Sequence, residues 1–341
     1  MEALLSRIAI IGAGSWGTAL ALVLSRNGRH PVRIWAFEKA VAEAIRSQRV
    51  NQMFLPGFPV PESVDVATRM EQALEGAEIV VTAVPSQHCR SVYEQMPGAL
   101  RPSMLFVSAT KGLESETASR MTEVACHVIE TAAGGFHPRI GALSGPSFAR
   151  EAARGDPTAV TIASTDAELA STVQREFSDP NFRVYTNEDV VGVELGGALK
   201  NIIAIAAGVC VGLGLGHNTI AALMTRGLAE ITRLAVACGG RRETLSGLAG
   251  MGDLVLTCTG GLSRNRTLGV ELGKGRKLAE VLADMHGMVA EGVLTTNAAR
   301  ELARRKNVEM PITEQMHSIL NQGKPPQEAI RELMTRPGRM E

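Results

Sequence analysis

Residues 8–24, IAIIGAGSWGTALALVL, join an apolar β-branched run to an apolar helical run through Gly12, Gly14 and Gly17. A chain passes from buried strand to buried helix in so few residues as the opening of a βαβ unit. In that setting G-x-G-x-x-G is a turn that accepts a dinucleotide. Gly12 makes the tight turn, Gly14 admits the pyrophosphate, and Gly17 lets helix and strand pack closely. The free N–H groups of Ser15 and Trp16, at the helix N-terminus, then face the phosphates. The competing reading is a glycine turn that binds nothing. The pattern alone is weak; what favours binding is that strand, turn and helix are all present.

The same alternation continues down the chain. VRIWAF (32–37), EIVVTAV (78–84), MLFVSAT (104–110), RIGALSG (139–145), TAVTIAS (158–164) and FRVYTN (182–187) read as strands. Most are near-continuously apolar, as strands covered on both faces are, and helical spacing fills the gaps. From Glu188 onward the pattern is helix and loop. The expectation is α/β: a Rossmann-type, doubly wound, mostly parallel sheet over residues 1–188, followed by an all-helical domain over 189–341. A ligand belongs in the cleft between them, outside the carboxyl ends of the strands.

Charge and cysteine usage narrow the class of partner. Lys plus Arg and Asp plus Glu number 35 each among 341 residues, so the formal net charge is zero. That argues against nucleic acid or an anionic membrane, which call for a basic face. Arg300, Arg304, Arg305 and Lys306 read as a solvated helix face. The cysteines at 89, 126, 210, 238 and 258 are odd in number and form no C-x-x-C, which indicates neither disulfides nor a metal site and suits a reducing cytosol. MEALLSR leads straight into a strand, with no room for a signal peptide. The apolar run 202–215 is 14 residues long, short of the roughly 20 a membrane span needs, so a buried core helix and no membrane insertion are expected.

The chemistry is concentrated in a few polar residues. Lys200 stands at the mouth of that apolar run, where a charged amine is costly unless paired or deprotonated. If 190–210 is helical, its neighbours are Gly196, Gly197, Ile203, Ala204, Ala207 and Gly208. A lysine among small residues faces a space something else can fill; snorkelling, or pairing with Glu194, is the plainer alternative. Lys111 follows a strand at its carboxyl end, and Gly145-Pro146-Ser147 follows another, with Pro146 placed to open a helix. GMGDLVLTCTGGLSRNR (250–266) holds Asp253, Thr257, Ser263, Arg264 and Asn265, and a guanidinium there suits a phosphate. Cofactor preference stays open: Ala36 and Phe37 occupy the usual carboxylate places, Glu38 comes late, and Lys39, Arg46 and Arg49 follow.

With these blocks in view the chain resembles the bacterial NAD(P)-dependent glycerol-3-phosphate dehydrogenases. The likeness runs from about residue 7 to 330, through IAIIGAGSWGTALA, NQMFLPG, SATKGLE, LSGPSFARE, VGVELGGALKNIIAIAAG, MTRGLAEITRL, GLAGMGDLVLTCTGGLSRNR and MVAEGVLTT. The resemblance implies reduction of dihydroxyacetone phosphate to sn-glycerol 3-phosphate for phospholipid synthesis, with NAD or NADP as cofactor. Lys200 would be the proton donor and acceptor, flanked by Asn201, Asp253 and Thr257; Lys111 would touch cofactor and substrate. Gly145 and Ser147 would line the substrate, while Ser263, Arg264 and Asn265 take its phosphate. Ser15, Trp16, Phe37, Ala149, Arg264, Val289 and Glu291 would lie along the cofactor. Two departures stand out: Phe37 where the family often has a basic residue, and Val211 where relatives commonly carry aspartate. A homodimer is an open possibility. The rival readings are a related two-domain hydroxy-acid dehydrogenase, with Arg264 on a carboxylate, and a non-catalytic NAD(P) sensor.

Overall fold

The computed structural model describes residues 6–132, 136–285 and 290–338. Eight strands form one sheet in the order β10-β9-β8-β7-β6-β1-β2-β5. They are β1 (Ile8–Ile11), β2 (Val32–Trp35), β5 (Val64–Ala67), β6 (Ile79–Thr82), β7 (Leu105–Ser108), β8 (Arg139–Ser144), β9 (Thr158–Ala163) and β10 (Phe182–Asn187). All neighbours are parallel except β8 and β9, where Ala142 faces Ala163 across an antiparallel pair. A separate hairpin pairs β3 (Val50–Asn51) with β4 (Leu55–Pro59).

The sheet is buried on both faces, for a reason visible in β1. Successive side chains of a strand point to opposite sides. Ile8 and Ile10 enter one core with helix Ser15–Leu24, while Ala9 and Ile11 enter the other, with Val80 and Phe106. Both faces therefore have to be apolar. Strand order reverses between β1, which leads outward to β2 and β5, and β6, which leads the other way to β7 and β8. Such a switch point opens a crevice at the carboxyl ends of the strands, and the glycine turn after β1 sits there.

Two strand regions lie outside the sequence expectation. β5 is a four-residue edge strand with Asp65 exposed, and Pro56, Gly57 and Pro59 interrupt the hairpin. After Asn187 the described residues contain helices and no strand. Asp189 caps the helix Val190–Gly212, its carboxylate accepting the Gly192 N–H at 2.8 Å. This 23-residue helix is long and apolar enough to cross a membrane, but 89% of its most apolar window is packed inside the protein.

Glycines set how closely its neighbours approach. A Cβ on Gly208 would overlap the Arg266 carbonyl, and one on Gly269 the Ile205 carbonyl, so helix Arg264–Gly273 packs backbone to backbone against the central helix. A Cβ on Gly196 would lie 2.6 Å from the Ala249 carbonyl, and one on Gly197 2.5 Å from Ser144 Oγ. Gly196, Gly197 and Gly208 are thus small because neighbouring chain closes in on them, not because they border the ligand space the sequence suggested. They let the polypeptide close in around the lysine.

Candidate active site

The glycine turn has the shape the pattern calls for. Gly12 has φ +119°, and a Cβ there would lie 2.6 Å from the Ala83 carbonyl, so the position excludes a side chain. A Cβ on Gly17 would overlap the Gly12 carbonyl. At Gly14, by contrast, a Cβ would meet nothing within 4 Å. The turn is packed on the Gly12 and Gly17 sides and open on the Gly14 side, beside the start of helix Ser15–Leu24. That open backbone at a ten-residue helix N-terminus fits a dinucleotide pyrophosphate.

Along the same edge, Lys111 follows β7 and turns towards the loop after β8. Its Nζ donates to the Gly145 carbonyl at 2.8 Å, to Ser147 Oγ at 3.2 Å and to Asp253 Oδ2 at 2.7 Å. Ser147 Oγ also donates to the Gly145 carbonyl at 2.9 Å. Gly145 has φ +139°, and a Cβ would press on Val160 Cα at 3.0 Å. Pro146 does not open a helix: the next one is Ala149–Arg154, three residues on, and it packs against helix Ser15–Leu24. Ser147 consequently acts on Lys111 rather than as a helix cap.

Lys200 meets this cluster from the other half. It is 6% exposed, and its Nζ donates to Asp253 Oδ1 and, at 2.9 Å, to Thr257 Oγ1. Asp253 is 1% exposed and bridges the two lysines, one through each carboxylate oxygen. It is aimed by a wide π-type turn, Leu248–Gly252, which runs into helix Asp253–Thr259. One turn later Thr257 falls on the same face, donating back to the Asp253 carbonyl at 2.6 Å. Burial pulls the Lys200 pKa down to about 8; Asp253 opposes the fall and Lys111 adds to it. Glu194 is not its partner, since that buried carboxylate takes Arg120 Nη1 at 2.6 Å and the Thr122 N–H at 2.9 Å. Its pKa is raised by burial, with Arg120 opposing.

A second polar group adjoins the first. Asn201, next to Lys200, accepts from Asn265 Nδ2 at 3.1 Å, and Asn265 Oδ1 accepts the Gly292 N–H at 2.9 Å. Ser263 caps helix Arg264–Gly273 by accepting the Arg266 N–H at 3.2 Å. Arg264 is exposed, yet the protein around it desolvates the guanidinium enough to lower its pKa, and Glu291 opposes the fall. Glu291 accepts Ser86 Oγ at 2.6 Å and the Ser86 N–H at 3.3 Å. Burial raises its pKa, against the Ser86 bonds and Arg264. A Cβ on Gly112, beside Lys111, would lie 2.5 Å from Ser86 Oγ, which closes the circuit.

Lys111, Gly145, Ser147, Lys200, Asn201, Asp253, Thr257, Asn265 and Glu291 therefore lie along one chain of contacts and sequence neighbours, drawn from both parts of the chain, with Ser263 and Arg264 immediately before Asn265. Phe37 stands apart, 74% exposed just beyond β2 with its ring 6.1 Å from that of Trp35. Arg46 and Arg49, weighed for a 2′-phosphate, instead donate to the Val66, Val60 and Val64 carbonyls. Val289 lies outside the described residues. Ser86 was not picked out from the sequence, although it follows β6 at the same edge that singled out Lys111.

Comparison with known proteins places this geometry. Residues 7–170 match the model described as NAD-dependent glycerol-3-phosphate dehydrogenase N-terminus, and 189–331 the corresponding C-terminus model. The chain belongs to the NAD-dependent glycerol-3-phosphate dehydrogenase family. It is similar to the glycerol-3-phosphate dehydrogenase [NAD(P)+] of Koribacter versatilis, 64% identical over 99% of each chain. The enzyme of that name from Geobacter sulfurreducens is 53% identical over 97% of each. A crystal structure of glycerol-3-phosphate dehydrogenase from Coxiella burnetii superposes with TM-score 0.91 at 41% identity, covering 97% of this chain and 99% of that one. Membership of this oxidoreductase family takes precedence over the hydroxy-acid and sensor readings.

Proposed function

We propose that this chain is an NAD(P)-dependent sn-glycerol-3-phosphate dehydrogenase in which Lys200 moves the proton. The observation that carries the proposal is the buried Lys200–Asp253–Lys111 bridge at the carboxyl edge of the sheet, beside a turn shaped for a dinucleotide. The bound nicotinamide supplies or accepts the hydride at C2 of the substrate. As negative charge develops on the C2 oxygen, Lys200 donates a proton to it, and Lys111 adds positive potential. A pKa of about 8 suits a group that must give and regain a proton near neutrality. Asp253 orients both ammonium groups and keeps Lys200 from losing its proton altogether. Arg264, Ser263 and Asn265 take the substrate phosphate, with Asn265 also holding Asn201 in place. Gly12, Gly14, Ser15, Trp16 and Gly17 hold the pyrophosphate, and Ala149 and Glu291 line the rest of the cofactor.

In this reading residues 1–188 form the cofactor domain and 189–341 the substrate domain, the protein works in the cytoplasm supplying phospholipid synthesis, and two copies associate as a homodimer. The test is oxidation of reduced cofactor with dihydroxyacetone phosphate against dihydroxyacetone and unphosphorylated 2-keto acids. Turnover confined to the phosphorylated ketone supports the assignment. Preference for an unphosphorylated acid overturns it, and cofactor binding without turnover leaves a sensor.

A further inference from the structure

The block NQMFLPG has no role in the chemistry described so far, yet it grips the nucleotide turn. Asn51, on β3, is 0% exposed and 38 residues from Ala13, the middle residue of Gly12-Ala13-Gly14. Its Nδ2 donates to the Ala13 carbonyl at 2.8 Å and to Thr18 Oγ1 at 2.8 Å. Its Oδ1 accepts the Phe54 N–H at 3.1 Å. From the turn side, Ser15 Oγ donates to the Phe54 carbonyl at 2.6 Å. Both ends of the Asn51 amide are thus engaged, and a flipped amide would set its oxygen against the Ala13 carbonyl.

We propose that Asn51 is a positioning residue for the cofactor pyrophosphate, a role that rests on the dinucleotide reading of the glycine turn. The peptide joining Ala13 to Gly14 is planar and trans, so its C=O and N–H point in opposite directions. Holding the Ala13 carbonyl on the hairpin turns the Gly14 N–H away from it. Gly14 is the position at which an added Cβ would meet open space, the side from which a pyrophosphate approaches. Asn51 and Ser15 together fasten the hairpin to the turn and fix the direction of a donor before the ligand arrives. Aspartate at position 51 would fail twice: it has no N–H for the Ala13 carbonyl, and it brings negative charge towards the phosphates.

The test uses the full chain and two probes, ADP-ribose, which carries the pyrophosphate, and adenosine, which does not. Their inhibition constants against reduced cofactor are measured for wild type, Asn51→Ala and Asn51→Asp. Losing one or two hydrogen bonds predicts roughly 5- to 30-fold weaker ADP-ribose in Asn51→Ala, and more in Asn51→Asp. Adenosine should stay within about twofold, as should KM for dihydroxyacetone phosphate at saturating cofactor. Equal weakening of both probes would mean a general loosening and overturns the proposal, as does an unchanged ratio. Should Asn51→Ala not fold, Asn51→Ser is read by the same ratio. Failure of wild type to bind ADP-ribose would instead sink the dinucleotide reading itself.

Discussion

Neutralising Asp253 while keeping its shape, Asp253→Asn, should move the pH range in which the site works. The carboxylate bridges two ammonium groups, so its removal takes a unit negative charge from beside Lys200 and leaves Lys111 facing it. At about 4 Å and an effective dielectric constant of about 20, that attraction is worth about 4 kcal/mol. At about 1.4 kcal/mol per pH unit this is about 3 pH units. The Lys200 pKa, about 8 with Asp253 in place, would fall by that much in the variant. The sign follows from the chemistry. Ketone reduction needs the protonated amine, so its rate is full below the Lys200 pKa and falls as pH rises through it. Oxidation needs the neutral amine and rises through the same pH. At pH 7 the variant would hold about one Lys200 in a hundred protonated, and the reductive kcat should drop about 100-fold, recovering towards pH 5. The assay is kcat against pH in both directions at saturating substrates. An inflexion still near 8 in the variant, with kcat within a few-fold of wild type, would refute the reasoning.

Three further outcomes follow from other parts of the structure. Arg264→Ala should raise KM for dihydroxyacetone phosphate roughly 10- to 100-fold, with a smaller change in kcat, because a charge-assisted phosphate bond is lost. Phe37→Arg should raise kcat/KM for NADPH relative to NADH by roughly 10-fold or more, since Phe37 is exposed beyond β2 and Arg46 and Arg49 are held by backbone carbonyls. Gly269→Ala should cost about 1–3 kcal/mol in urea unfolding, because its Cβ would overlap the Ile205 carbonyl in the glycine seam.

The main sheet was legible because strands buried on both faces are nearly all apolar, as Ile8–Ile11 is throughout and Ile79–Thr82 is up to its terminal threonine. β5 escaped because VDVA is short, sits at an edge and alternates, and the β3–β4 hairpin because prolines and a glycine mark it as loop. Lys200 is buried against Asp253 and Thr257, but the reason the sequence offered for singling it out does not hold. Gly196, Gly197 and Gly208 are small so that backbone can approach, and a close-packed seam has the same sequence signature as a cavity wall. Lys111 could be read from its place at a strand end. Asp253, more than fifty residues from Lys200, could not be paired with it by spacing; family resemblance put them together, and the π-type turn before Asp253 is what makes the contact. Ser86 and Asn51 look like loop polar residues, and their partners, Glu291 and Ala13, are distant in sequence.

The central claim is that one buried amine carries the proton, and Lys200→Ala tests it most directly. With packing and cofactor affinity checked as intact, the single-turnover rate of dihydroxyacetone phosphate reduction should fall roughly 100- to 10,000-fold, the span expected of one acid/base group, and an added small primary amine should restore part of it. A variant turning over within a few-fold of wild type, indifferent to added amine, would contradict the account.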